Sequence, residues 1–169
     1  MIIDTHCHAG LNWFLPIESL EFEMDRAGVD AAVLIQHGGT YNNDYLLEEA
    51  GKRGERFKVT VLVDPEDPDP LGKLEQLAKQ GAAGVRIAPD GQFRALVNDV
   101  EIWQKAGELG LVVSSLGDDK KFASSRFKNI IEDCPNTQIV IEHLAGVGIS
   151  EAPYREFESA LECALHSNT

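Results

Sequence analysis

Short runs of β-branched and apolar residues alternate along this chain with longer stretches whose apolar positions recur at helical spacing. The runs at Ile2–His8, Ala31–His37, Phe57–Val63, Gly84–Ala88, Leu111–Ser115 and Gln138–His143 predict six strands. Ile17, Leu20, Met24 and Ala27 form the first helical stripe, with Gly28 placed where a left-handed cap closes a helix. Leu71, Leu74, Leu77 and Ala78 form another, opened by Asp69 and Pro70 and stopped by Gly81. Ile102, Trp103, Ala106 and Leu109 end at Gly110, and Phe127, Ile130, Ile131 and Cys134 end before Pro135. Tyr154, Phe157, Leu161 and Leu165 follow Pro153. The helix from Asn43 to Gly54 has the weakest pattern, because Gly51 interrupts it.

The predicted strands start at residues 2, 31, 57, 84, 111 and 138, so one strand–helix unit recurs about every 27 residues. Regular units of this kind imply parallel strands joined by right-handed crossovers. No linker or change of composition divides the chain, and residues 1–169 read as one domain. Periodicity accepts two α/β architectures. One is a complete doubly wound sheet. The other is a TIM-type (βα)8 barrel with six of its eight units, the C-terminal two being absent.

Charge narrows the partners. The chain has 28 Asp and Glu against 15 Lys and Arg, a formal net charge of −13, which repels nucleic acid and anionic membranes. Its apolar runs are far short of the roughly 20 residues that span a bilayer. Met1 leads straight into Ile2, Ile3 and Asp4, without the basic start of a signal peptide. The scattered cysteines, Cys7, Cys134 and Cys163, fit reduced thiols in a cytoplasmic protein.

The chemistry gathers at the strand ends. His6 and His8 flank Cys7 at the end of the first strand, so alternation points both imidazoles to one face, about 7 Å apart along the strand. Such a pair is a preorganised site for a divalent metal. His143 holds the matching position on the sixth strand. Counted back from His143, Glu142 is expected to face the helical layer in a structural role.

The Asp4-Thr5-His6-Cys7-His8 opening, Gly84-Val85-Arg86-Ile87 and Ile139-Val140-Ile141-Glu142-His143-Leu144-Ala145-Gly146 resemble the amidohydrolase superfamily, in its amidohydrolase-related (type 2), lactonase-like branch. Asn43-Asp44-Tyr45-Leu46-Leu47, Arg56-Phe57 and Val63-Asp64-Pro65 extend the resemblance over the whole chain. It implies the barrel over the open sheet. It also implies a divalent metal, zinc above others, held by His6, His8 and His143, with His143 acting as a ligand or polarising the substrate carbonyl. A metal-independent mechanism through the three histidines is the alternative it allows.

Two departures from the family pattern stand out. Serine occupies the fifth-strand position of the expected histidine, in Val113-Ser114-Ser115, with Asp118 or Asp119 as a nearby carboxylate. The strand-eight aspartate that handles a proton in the family has no counterpart after the sixth unit, so the expectation is a truncated copy of a hydrolase lacking its general base.

Arg86 alternates with Val85 and Ile87 and is expected to point into the barrel. There its guanidinium meets either a substrate carboxylate or an internal partner such as Asp4 or Asp90. His37, before Gly38-Gly39, is the second substrate contact, while Trp13 and Phe14 wall the pocket or staple the first loop. Cys7 and Trp103 are expected to pack. The reading is hydrolysis of a small carboxylated lactone, ester or amide, the partner being a small anionic molecule. Non-oxidative decarboxylation by the same site is one alternative. A non-catalytic assembly module, in which a homo-oligomer covers the open edges, is another.

Overall fold

Every predicted strand forms, and each is shorter than the apolar run that announced it. The computed structural model describes residues 1–147 and 155–169, so Pro153 and Tyr154 of the last stripe lie outside the described residues. The strands are β1 (Ile3–Cys7), β2 (Ala31–Ile35), β3 (Phe57–Val61), β4 (Gly84–Ile87), β5 (Val112–Ser115) and β6 (Ile139–Ile141). All neighbours pair in parallel, and the sheet order is the chain order from β1 to β6. This is the arrangement of an incomplete TIM barrel, six strand–helix units with the helices on one face. Residues such as His8, His37, Ala88 and His143 fall just past the strand ends, where diverging loops break the ladder.

The helices are α1 (Ile17–Ala27), α2 (Asp44–Lys52), α3 (Pro70–Lys79), α4 (Val100–Glu108), α5 (Asp119–Phe122), α6 (Ser125–Asp133) and α7 (Arg155–Cys163). Gly28 closes α1 at φ 70°, the left-handed cap its position predicts. Asp69 opens α3 by accepting a hydrogen bond from the Gly72 amide at 3.0 Å. Gly51 is tolerated inside α2, which runs to Lys52 before a short 3-10 turn at Gly54–Arg56. α5 has no stripe of its own and was not expected. Asp118 caps it by accepting from the Lys121 amide at 2.9 Å, and Ser124 caps α6 by accepting from Phe127 at 3.2 Å.

The core lies between sheet and helices. Val59, Val61, Val85, Ile87, Val113 and Ile139 pack against Leu74, Leu77, Ile102, Trp103, Phe127 and Ile130, all buried. Each such side chain contributes about 1.5–3 kcal/mol on leaving water, which sets the face each strand turns to the helices. Trp103 packs edge-on against Phe127. The opposite face of Arg86, Ser114 and Val140 lies along one row of the register. Among the described residues no helix is long and apolar enough to cross a membrane.

Candidate functional site

β1 delivers His6 and His8 to the same side, as alternation requires, with ring centroids 5.1 Å apart. His8 Nδ1 lies 2.7 Å from the Ile35 carbonyl, which accepts its proton and leaves Nε2 with a lone pair. The His8 ring also stacks on Phe14 at 4.6 Å. Cys7, between them, turns toward β2 and donates to the Val33 carbonyl. Burial, helped by Asp4, pushes its thiol up to about 12, so it is a packing residue and not a nucleophile.

His143 reaches the same place from the far edge of the sheet, with its ring centroid 4.7 Å from that of His6. It arrives there on an unusual backbone. His143, Leu144 and Ala145 have φ of 53°, 50° and 56°, a left-handed turn of three residues that are not glycine. Each such residue costs roughly 1–2 kcal/mol. Strain of this kind persists only where neighbours hold it.

Glu142 corrects the expectation from sequence. It faces the barrel interior, 3% exposed, and not the helical layer. Ile139 turns to the helices, so Val140 and Glu142 share the inner face. Strand alternation would send His143 outward, and the left-handed turn is what returns it. The signal was available in the helix-facing isoleucine at 139.

Arg86 does point inward, and its partner is Glu142, in place of Asp4 or Asp90. Its Nε lies 2.9 Å from Oε1 and its Nη2 2.5 Å from Oε2, a bidentate fork. Nη1 makes only a long contact, 3.4 Å, to the Gln36 carbonyl. Asp90 pairs instead with Lys121, and Asp4 accepts from the His6 amide. Ser114, in the position of the expected histidine, donates to Glu142 Oε1 at 2.7 Å. Burial alone would raise the Glu142 carboxyl, but the bonds from Arg86 and Ser114 and the Arg86 charge outweigh it and hold it below the usual carboxylate range. Burial lowers His6, with His143, His8 and Arg86 adding to the effect and Glu142 opposing it.

Three sequence candidates stand apart. Asp118 is used as a helix cap, and Asp119 accepts from the Lys120 amide within α5. His37 lies in a side cluster, its ring 5.4 Å from Trp13 and 5.3 Å from Phe14. With Trp13, Gln36, Thr40 and Tyr45 it lines a cavity of about 240 Å³, joined to the histidines through Phe14 on His8.

One atom of each of His6, Glu142 and His143 lies within 4.8 Å of the others, a spacing that suits a divalent cation. His6 Nε2 is buried with no hydrogen-bond partner among the described residues, as an unfilled ligand would be. His6 and His143 therefore fit a metal, while His8 lies outside this group. Glu142 fits less well, because Arg86 and Ser114 already use both of its oxygens.

The amidohydrolase family model matches residues 3–166. No curated protein matches the chain. Among solved structures, a probable 2-pyrone-4,6-dicarboxylic acid hydrolase from Acinetobacter baumannii with citric acid bound superposes with a TM-score of 0.77 at 19% identity, covering 96% of this chain and 66% of that one. An amidohydrolase from Burkholderia multivorans with bound zinc gives 0.76 at 15% identity, covering 99% and 67%. The apo IDCase of Metarhizium anisopliae gives 0.66 at 14% identity, covering 79% and 48%. These likenesses are of fold, and the chain spans about two thirds or less of each neighbour.

Proposed function

Because this chain belongs to the amidohydrolase family, we propose that it carries a site for hydrolysis of a small carboxylated lactone, ester or amide. Water adds to the carbonyl carbon, the C–O or C–N bond breaks, and the leaving atom takes a proton. The observation that carries the reading is the convergence of His6 and His143, ring centroids 4.7 Å apart, with His6 Nε2 buried and unpartnered among the described residues, at the C-terminal end of a parallel sheet. Zinc in one neighbour and citric acid in another support a divalent metal and an acidic ligand here.

His6 and His143 would hold the metal, with His8, which stands outside their 4.8 Å group, as the third ligand. When bound, it supplies Lewis acidity that brings the pKa of water toward neutrality. The lowered pKa of His6 keeps its ring neutral near pH 7, the form that donates a lone pair. Arg86 meets the acidic group of the substrate through Nη1, whose contact with Gln36 is weak, while Nε and Nη2 keep Glu142 in place. His37 contacts the far end of the substrate from the side cavity.

The test uses the purified protein with and without added zinc, and a set of five- and six-membered lactones with and without a ring carboxylate. The expected result is about one bound zinc and acid release from the carboxylated members only. A protein that binds no zinc and opens none of the lactones overturns the reading.

A further inference from the structure

The left-handed turn at residues 143–145 raises a question that packing does not answer. Its first two side chains are poorly held: His143 is 55% exposed and Leu144 72%. Only Ala145, at its end, is buried. A strained and largely exposed turn needs an anchor outside itself. The residue just before it, Glu142, is the most firmly bonded side chain in the site. Arg86 reaches it from β4 and Ser114 from β5, so two strands hold the end of a third.

We propose that Glu142 is a positioning residue, a latch that Arg86 and Ser114 close and that keeps the left-handed turn aimed so that His143 meets His6. The peptide leaving Glu142 starts from a side chain fixed at both oxygens. The direction in which His143 departs is therefore set by the fork of Arg86. Glu142 Oε2 lies 3.6 Å from His143 Nε2, beyond hydrogen-bond distance, so the hold on His143 runs through the backbone. This role differs from that of a metal ligand, because a carboxylate saturated by a guanidinium and a hydroxyl has little left to offer a cation. It depends on the hydrolytic reading only in regarding the turn as part of the site.

The experiment needs neither substrate nor metal, so its failure is distinct from failure of that reading. Removing both partners together, as Arg86→Met with Glu142→Leu, leaves no unpaired buried charge, and such replacements commonly preserve the fold. In the wild type, an NOE between the His6 and His143 ring protons and slow amide exchange at Leu144 and Ala145 are expected. In the folded double variant the NOE should vanish and exchange should quicken about tenfold or more. Persistence of both would overturn the proposal and assign the turn to the packing of Ala145. Arg86→Lys keeps the charge but loses the fork. It should weaken the NOE in a folded protein, and this arm decides the matter if the double variant fails to fold. An unchanged NOE in Arg86→Lys then counts against the latch.

Discussion

The Arg86 guanidinium and the Glu142 carboxylate, 56 residues apart in the chain, meet fork to fork inside the curved sheet, at 2.9 Å and 2.5 Å. Both are almost fully buried, so removing one partner strands a charge. Glu142→Ala should cost about 3–5 kcal/mol of stability. Ser114→Ala, which deletes one hydrogen bond to the same carboxylate, should cost about 0.5–1.5 kcal/mol. Urea titrations followed by circular dichroism read both, and equal losses would show that the pair is not the stronger element.

Zinc affinity should separate donors from their supports. Removal of a supporting group typically weakens a metal site by roughly 10–100-fold. His6→Ala and His143→Ala should exceed that range in competition with a chromogenic chelator. Phe14→Ala, which removes only the ring stacked on His8, should fall within or below it. Wild-type affinity in His6→Ala would remove that residue from the ligand set.

Stability should fall in acid in two stages. His6 is lowered from an ordinary value of 6.5 by burial, so below pH 6.5 the unfolded chain takes up the proton first. The stability this confers is complete above pH 6.5 and is lost as pH falls through the lower folded value. Glu142, held below its ordinary 4.5, adds a contribution that is present above that pH and is lost beneath it. Urea midpoints measured from pH 8 to pH 3 should show both declines. His6→Asn should flatten the first and, by removing a charge that helps hold Glu142 down, reduce the second.

Leu144 offers a substitution that should stabilise. Its φ of 50° suits glycine, and its side chain is largely exposed. Leu144→Gly should gain roughly 1 kcal/mol by relieving the left-handed strain. A lower thermal midpoint in this variant would mean that the turn is less strained than its backbone indicates.

Gly84 is the opposite case. A Cβ there would sit 2.7 Å from the Val112 carbonyl and 2.9 Å from Thr60 Oγ1, where three strands meet. Gly84→Ala should destabilise by about 1–3 kcal/mol, read in the same urea titrations.

The repeat of strand and helix was legible because burial enforces it: Val85 and Ile87 had to face the helices, and that sent Arg86 inward. His6 and His8 were legible for the same reason. Glu142 was not, because alternation was counted back from His143 when β6 already ends at Ile141. Beyond that point the chain leaves the strand period, and a left-handed turn has no side-chain pattern without glycine to mark it. α5 was missed because a four-residue helix is too short to carry a stripe, and its N-cap, Asp118, reads as a loop residue.

The strict order of the sheet has a consequence for tolerance. His6 stands on the first strand and His143 beyond the sixth, and every strand between them pairs only with its neighbours in sequence. The separation of the two rings, 4.7 Å, therefore depends on all five strand pairings between them as well as on the turn at 143–145. A slight change at any one pairing is carried to the ends like the error in a chain of hinges. The gap between the imidazoles thus acts as a gauge of the whole sheet, one that a substitution far from any histidine can open or close.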